Sequence, residues 1–343
     1  MIEDIDVSKA LNLERAKFVD LRSPVEYASS HIPGAVNIPL LSDEERSEIG
    51  TIYRHQGPDQ AKIRGLEVVA PRLADMISEI KEFSRDNNLV VYCWRGGDRS
   101  RAVANLLDIM QVDGYRLIGG YKSYRAFVLN QLQILPRSQV VVIHGLTGTG
   151  KTEIIKHLAA MGMPALDLEG LANHRGSVFG GIGLGLQPSQ KQFDSSLYQA
   201  LDRLKDERFL IVESESKKIG RVFLPDHLFA RMKEGRHVLV YDTLENRINR
   251  LVHEYVEDAS NNTNDLLECV QGLKYHLGKG KTQQVVELIK SSQLTEAIKV
   301  LLTDYYDPLY GYPSAADIEY DLNLDGSDSE QAALALVSWL TTW

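Results

Sequence analysis

Two cysteines, Cys93 and Cys269, are all that the 343 residues contain. So few exclude a disulfide framework as the basis of stability and predict a reducing cytoplasm as the setting. Long apolar runs are also missing. No stretch of about 18 apolar residues occurs, so neither a membrane-spanning helix nor a membrane partner is expected. The start, Met1-Ile2-Glu3-Asp4, is acidic and lacks the basic region of a signal peptide. Positive charge is in deficit: 38 Lys and Arg against 47 Asp and Glu leave a net charge of −9. That argues against a protein coating nucleic acid with its whole surface, but leaves room for a local basic patch. The remainder is ordinary for a globular protein, 43% hydrophobic and 25% charged. The length is comfortable for two cores.

The pattern predicts an α/β chain in two parts. Short strands are expected at residues 17–20, 35–38, 89–92 and 115–118, with helices at 24–30, 71–84 and 101–110. The run at 89–92 is too apolar for a half-exposed strand and predicts a buried parallel one. This first domain is expected over 1–133, with a linker at 134–139 and a second domain over 140–343. There the strand expectations are 140–143, 164–167, 209–213, 237–241 and 318–321, with a helix at 152–161 and another at 331–337. Residues 244–306 read as helices alone. The stretch Asp321-Leu322-Asn323-Leu324-Asp325-Gly326 imitates the start of a calcium loop, but Ala332 stands where the bidentate Glu is needed. It reads as a strand-to-helix turn without metal.

Two loops carry chemistry. In the first, Cys93-Trp94-Arg95-Gly96-Gly97-Asp98-Arg99-Ser100, a cysteine ends a strand and opens a helix. Gly96, Gly97, Asp98 and Ser100 would supply an anion nest at the helix N-terminus. Arg95 and Arg99 add charge, so Cys93 is the expected nucleophile or sulfur-group carrier. Upstream, Asp20-Leu21-Arg22-Ser23-Pro24 and His31-Ile32-Pro33-Gly34-Ala35 resemble the rhodanese signature over roughly the first third of the chain. The spacing from Cys93 to Arg99 departs from the short sulfurtransferase loop and equals that of cysteine-dependent phosphatases. The wider loop suits a tetrahedral ion, either a phosphomonoester or a phosphate bearing sulfur or selenium. Tyr92 stands where those phosphatases usually carry His.

The second loop, Gly145-Leu146-Thr147-Gly148-Thr149-Gly150-Lys151-Thr152, matches the phosphate-binding P-loop in full and lies between a strand and a helix. Gly145, Thr147, Gly148, Thr149 and Gly150 would wrap a diphosphate. Lys151 would meet its terminal oxygens, and Thr152 would ligate Mg²⁺. Asp167 and Glu213 are the candidates for the acid at a neighbouring strand end, with Glu215 not separable from Glu213. The Gly-rich segment containing His174, Arg175 and Ser177 is a candidate substrate loop.

A rhodanese-like domain followed by a P-loop domain resembles the tRNA 2-selenouridine synthases. The resemblance extends to Gly119-Gly120-Tyr121-Lys122-Ser123-Tyr124-Arg125, His174-Arg175-Gly176-Ser177 and Tyr305-Tyr306-Asp307-Pro308-Leu309-Tyr310, nearly the whole chain. It implies a rhodanese-like α/β domain, then a P-loop NTPase-like α/β domain with a helical insertion. It also implies an enzyme that replaces the sulfur of wobble 2-thiouridine with selenium through S-geranyl-2-thiouridine. Geranyl diphosphate and selenophosphate would be co-substrates, with Mg²⁺ but no haem, flavin or zinc. The implied partners are tRNA, through its anticodon region and across both domains, and a selenophosphate-supplying enzyme. Trp94, Lys122, Tyr124, Arg125 and Arg175 are the candidates for stacking and backbone contact with splayed bases. Two readings of other classes stand beside this one: a small-molecule P-loop kinase with a regulatory rhodanese- or phosphatase-like domain, and a non-catalytic sulfur-relay partner. Intact Cys93 and Lys151 disfavour the last.

Overall fold

The computed structural model describes residues 1–342, without the side chains of 255–262. The chain divides into two compact units. One comprises Met1–Gln131 with Asp194–Gln199, the other Leu132–Phe193 with Ala200–Trp343.

The first unit is built on five parallel strands: β1 (Ile2–Ile5), β2 (Ala16–Asp20), β3 (Val36–Asn37), β4 (Asn88–Tyr92) and β5 (Gly114–Leu117). Their order is β1-β5-β4-β2-β3. β4 is central, and Leu89, Val90, Val91 and Tyr92 are fully buried, as a parallel strand covered on both faces must be. The helix Leu73–Ser84 places Met76, Ile77 and Ile80 on one side chain stripe, and Asp98–Ile109 does the same with Val103, Ala104 and Leu107. Both stripes close the core around Val19, Val91 and Leu107. Each such side chain contributes about 1.5–3 kcal/mol of transfer free energy. The strand β1 was not expected from the sequence. Only Ile5 of it is buried, and an acidic edge strand has no apolar alternation to detect.

The second unit carries a second parallel sheet: β6 (Gln139–His144), β7 (Ala165–Leu166), β8 (Phe209–Glu213), β11 (Arg236–Tyr241) and β12 (Leu322–Asp325), ordered β12-β11-β6-β8-β7. A short antiparallel pair, β9 (Lys218–Ile219) and β10 (Val222–Phe223), stands apart from it. The helices Lys151–Ala160 and Ser329–Leu340 pack together over the sheet around Ile154, Leu158 and Leu336. Between β11 and β12 lie helices at Leu244–Gly272, Lys274–Lys290 and Leu294–Leu301. They enclose a separate core of Val270, Leu273, Val285 and Leu302, against which Cys269 packs. Both units are thus α/β, and no helix among the described residues is long and apolar enough to cross a membrane.

The last strand is corrected. It lies at Leu322–Asp325, not 318–321, in register with Val238 to Tyr241 of β11. Ile318 is fully exposed. The Asp321 carboxylate accepts from Arg236 at 2.7 Å and from the His237 N–H at 2.8 Å, pinning the entrance to the strand. The segment read as a turn is therefore the strand itself, ended by Gly326. A Cβ there would meet the Thr149 carbonyl at 2.5 Å. The expected linker also differs in its end: Gln139 already belongs to β6, and Leu135, Pro136 and Ser138 are buried.

Candidate functional site

Cys93 follows the last residue of β4 and is 3% exposed. Its Sγ lies 3.3 Å from Ser100 Oγ, in the first turn of the helix Asp98–Ile109. The loop is held from behind by the turn before the helix Gly120–Gln131. Tyr121 and Lys122 donate their N–H groups to the Cys93 and Trp94 carbonyls, each at 2.9 Å, and Arg116 donates to the Gly96 carbonyl at 2.7 Å. Planar trans peptides then turn the N–H groups of Trp94, Arg95 and Gly97 away from those donors. Glycine is required on both sides of this contact. Gly96 has φ +63°, and a Cβ on it would sit 2.8 Å from the Leu117 carbonyl. Gly120 has φ +57°, and a Cβ on it would come within 2.2 Å of the Cys93 oxygen.

Of the charges around this loop, Arg95 and Asp98 are exposed. Arg99 donates to Glu26 at 2.8 Å. Burial pushes the Glu26 carboxyl up, but the Arg99 hydrogen bond and charge outweigh it and hold it below its ordinary value. Beneath the loop lies a buried pair from the rhodanese-like stretch Asp20–Pro24. Arg22, 1% exposed, meets Asp20 at 2.6 Å and stacks 4.0 Å from the centre of the Tyr121 ring.

The base-contact candidates separate. Lys122 is exposed, and Trp94 is half-buried with its ring 5.8 Å from that of Tyr121. Arg125 donates to Asp194 at 2.8 Å, within the same unit. Tyr124 is corrected: it is 1% exposed and packs against Tyr121, so it serves the core and offers no face for a base.

In the second unit the P-loop joins β6 to the helix Lys151–Ala160. Gly148 and Gly150 have φ +82° and +87°. Thr149 is 1% exposed and donates to the Leu146 carbonyl at 2.9 Å, bracing the loop from inside. The Lys151 ammonium donates to the carbonyls of Gly145 at 2.8 Å and Leu146 at 3.2 Å. Burial pushes its pKa down, against the raising effect of Glu169, Glu215 and Glu213. Thr152 donates to Glu169 at 3.1 Å.

Glu213 ends β8, the strand beside β6. It is 1% exposed, accepts the Glu169 N–H at 2.9 Å through Oε1, and leaves Oε2 without a hydrogen bond. Burial, then the Asp167 and Glu169 carboxylates, push it up to about 8. Glu215 is raised well above its ordinary value, again by burial first and then by Glu169 and Glu213. Asp167 accepts the Gly170 N–H at 2.6 Å as a helix cap.

These groups line one cavity of about 430 Å³ that also takes in His174, Arg175, Ser177, Tyr310 and Tyr312. Gly176, at φ +63°, lies so close that a Cβ would meet Glu169 and Glu215 at 2.7 Å. Arg175 pairs with Glu254 at 2.8 Å and donates to the Ile182 carbonyl at 3.0 Å. Burial lowers the pKa of His174. Beside the cavity lies a second one, lined by Phe179, Leu266, Ile289, Ala297 and Leu301. Thr147, Ser177 and Leu251 line both.

Glu169, Arg247 and Arg250 also join the site, though none was expected from the sequence. Arg247, 2% exposed, donates to the Thr147 carbonyl at 2.8 Å and pairs with Asp307 at 2.5 Å. Arg250 donates to the Gly148 carbonyl and meets Asp242 at 3.1 Å and Glu153 at 3.0 Å. Their spacing of three on the helix Leu244–Gly272, which puts two cations on one face, was the available signal. Among the described residues no three His, Cys, Asp or Glu side chains form a metal cage. Thr152 and Glu169 suit Mg²⁺, which keeps several waters and takes one or two protein oxygens.

Residues 138–336 match the family model described as tRNA 2-selenouridine synthase AAA domain, and residues 5–127 match the rhodanese-like domain. The tRNA 2-selenouridine synthase of Pseudomonas syringae pv. syringae (strain B728a) is 34% identical, over 91% of this chain and 93% of its own. That of Hydrogenovibrio crunogenus is also 34% identical, with the same shares of each chain. That of Psychromonas ingrahamii is 32% identical over 91% of each. Matched in both units and along almost its entire length, the chain belongs to the tRNA 2-selenouridine synthase family.

Proposed function

We propose that the protein exchanges the sulfur of wobble 2-thiouridine in tRNA for selenium, in two steps served by the two loops. In the first, the P-loop holds geranyl diphosphate and the uridine sulfur takes the geranyl group. In the second, selenium from selenophosphate displaces the alkylated sulfur, with Cys93 as nucleophile or selenium carrier. The observation that carries this reading is the apolar cavity beside the P-loop cradle, joined to it through Thr147, Ser177 and Leu251. A diphosphate ester with a hydrocarbon tail matches both cavities at once. A purine base would leave its polar edges unpaired against Phe179, Ile289 and Leu301.

Each group then has defined work. Lys151 gives up its two carbonyl contacts for diphosphate oxygens and stabilises the charge that develops on the leaving group. Mg²⁺ held by Thr152 and Glu169 would neutralise the same oxygens. Gly96, Gly97, Ser100 and Arg95 surround selenophosphate. Arg99 is held in place by Glu26. The tRNA is met by Trp94, Lys122 and Arg175, and the reaction runs in the cytoplasm beside an enzyme that supplies selenophosphate.

The test is mass spectrometry of nucleosides from 2-thiouridine tRNA incubated with the protein and geranyl diphosphate, then with selenophosphate. S-geranyl-2-thiouridine should form first and 2-selenouridine second. Folded protein that yields neither, or that instead turns over ATP with phosphoryl transfer to a small molecule, contradicts the reading.

A further inference from the structure

A chain of hydrogen bonds leads from the P-loop cavity to the surface, through side chains that none of the chemistry above uses. Ser214 and Tyr312 line the cavity. Ser214 Oγ lies 3.3 Å from the Tyr312 hydroxyl, which lies 3.3 Å from His144 Nδ1. His144 Nε2 lies 2.7 Å from His237 Nδ1, and His237 Nε2 lies 3.3 Å from the Lys233 carbonyl. His144 is the last residue of β6, immediately before Gly145 of the P-loop, while Lys233 is exposed.

The far end fixes the direction of every bond. A carbonyl only accepts, so His237 Nε2 carries a proton. In the neutral ring Nδ1 is then an acceptor, and His144 Nε2 must donate to it. His144 Nδ1 accepts in turn, from the Tyr312 hydroxyl. The Tyr312 oxygen then accepts from Ser214. All donors point from the cavity towards the surface, the arrangement of a path ready to carry one proton outward. Burial, then His237 and Lys151, push the pKa of His144 down to about 4, which keeps it neutral and able to accept at pH 7. Tyr320 lies edge-on to the His144 ring at 5.7 Å. Asp321 and Arg236 flank the outer end, Asp321 accepting the backbone N–H of His237 at 2.8 Å.

We propose that Ser214, Tyr312, His144 and His237 form the relay that takes the N3 proton of 2-thiouridine as its sulfur is alkylated. This rests on the prenyl-transfer reading above. The sulfur lone pair forms the new bond to C1 of the prenyl chain, and the C1–O bond breaks with its electron pair leaving on diphosphate. The N3–H bonding pair becomes the second bond between C2 and N3, the C2=S π pair returns to sulfur as a lone pair, and the proton passes to Ser214 Oγ. The Ser214 proton moves to Tyr312, that of Tyr312 to His144 Nδ1, and that of His144 Nε2 to His237 Nδ1. His237 ends as an imidazolium and discharges to solvent. Ser214 touches the substrate; Tyr312, His144 and His237 act through it.

The experiment measures single-turnover geranylation of 2-thiouridine tRNA against pH for the full-length protein and for Tyr312→Phe, His144→Gln and His237→Gln. Affinity for geranyl diphosphate is measured alongside. His144→Gln and His237→Gln, neither of which lines the cavity, should bind geranyl diphosphate within about twofold of wild type, and each of the three variants should react roughly 10²-fold more slowly near pH 7, the scale of a lost general base. Its rate should climb about tenfold per pH unit as hydroxide replaces the relay, where wild type is flatter. Unchanged rates, or losses with the wild-type pH profile, overturn the relay while leaving prenyl transfer standing. Absence of geranylated uridine in the wild-type reaction overturns both, and is seen before any variant is compared. His237→Gln, half-buried at the outer end, keeps the test decisive should Tyr312→Phe or His144→Gln fold poorly.

Discussion

A Cβ on Gly120 would lie 2.2 Å from the carbonyl oxygen of Cys93, so the cysteine loop and the turn after β5 touch without room for one methyl group. Gly120→Ala should therefore push Cys93 and the loop's N–H groups out of place. The φ of +57° adds strain of about 1–3 kcal/mol. The expected result is loss of selenium incorporation by roughly 10²-fold, the size of a misplaced reacting group, with geranylation retained. Nucleoside mass spectrometry reads both products, and a variant that selenates normally would show that this contact does not set the loop.

Much of this was legible in the sequence, for reasons that differ from place to place. The P-loop declares itself because backbone wrapping of phosphates demands glycine at fixed spacing before Lys-Thr. Cys93 does so because Gly96, at φ +63° against the Leu117 carbonyl, cannot be replaced in so tight a turn. The strands β4, β6 and β8 are continuous apolar runs, as burial on both faces requires. The rest depends on partners distant in the chain. Tyr124 looks like a basic-flanked aromatic until Tyr121 covers it. Glu169 lies two residues beyond Asp167 and gains its place only when Thr152 and Glu213 meet it. The last strand was misplaced because Ile318 resembles a strand residue, whereas pairing with β11 selects Leu322 to Asp325.

The Glu213 carboxyl, pushed up to about 8 by burial and then by Asp167 and Glu169, makes stability depend on pH. The folded chain keeps a proton there that the unfolded chain releases above about pH 4.3. The stability tied to that proton is complete below the unfolded value, falls as pH rises, and is gone above about 8. Glu213→Gln should remove this slope. Its melting temperature without ligand should lose less than that of wild type between about pH 5 and about pH 8.5, by several degrees. Parallel curves for the two proteins would contradict the assignment of a shared, crowded set of carboxylates.

Ala297, 2% exposed, lines the apolar cavity proposed to take the tail of the prenyl donor. Ala297→Phe fills that space at a cost to stability of about 1–3 kcal/mol. Affinity for geranyl diphosphate should fall about tenfold or more, while affinity for inorganic diphosphate stays the same, since Lys151 and the P-loop are untouched. Calorimetric titration with the two ligands checks this. Equal losses for both, or none for either, would place the tail elsewhere.

The central claim divides the chemistry between Cys93 and Lys151, and the most direct test is the product made by Cys93→Ala and by Lys151→Ala on 2-thiouridine tRNA given both co-substrates. Cys93→Ala should accumulate S-geranyl-2-thiouridine and form no 2-selenouridine. Lys151→Ala should lose geranylation by about 10²–10³-fold, yet still selenate tRNA supplied already geranylated. Loss of geranylation in Cys93→Ala, or failure of Lys151→Ala on the geranylated tRNA while folded, would contradict the division.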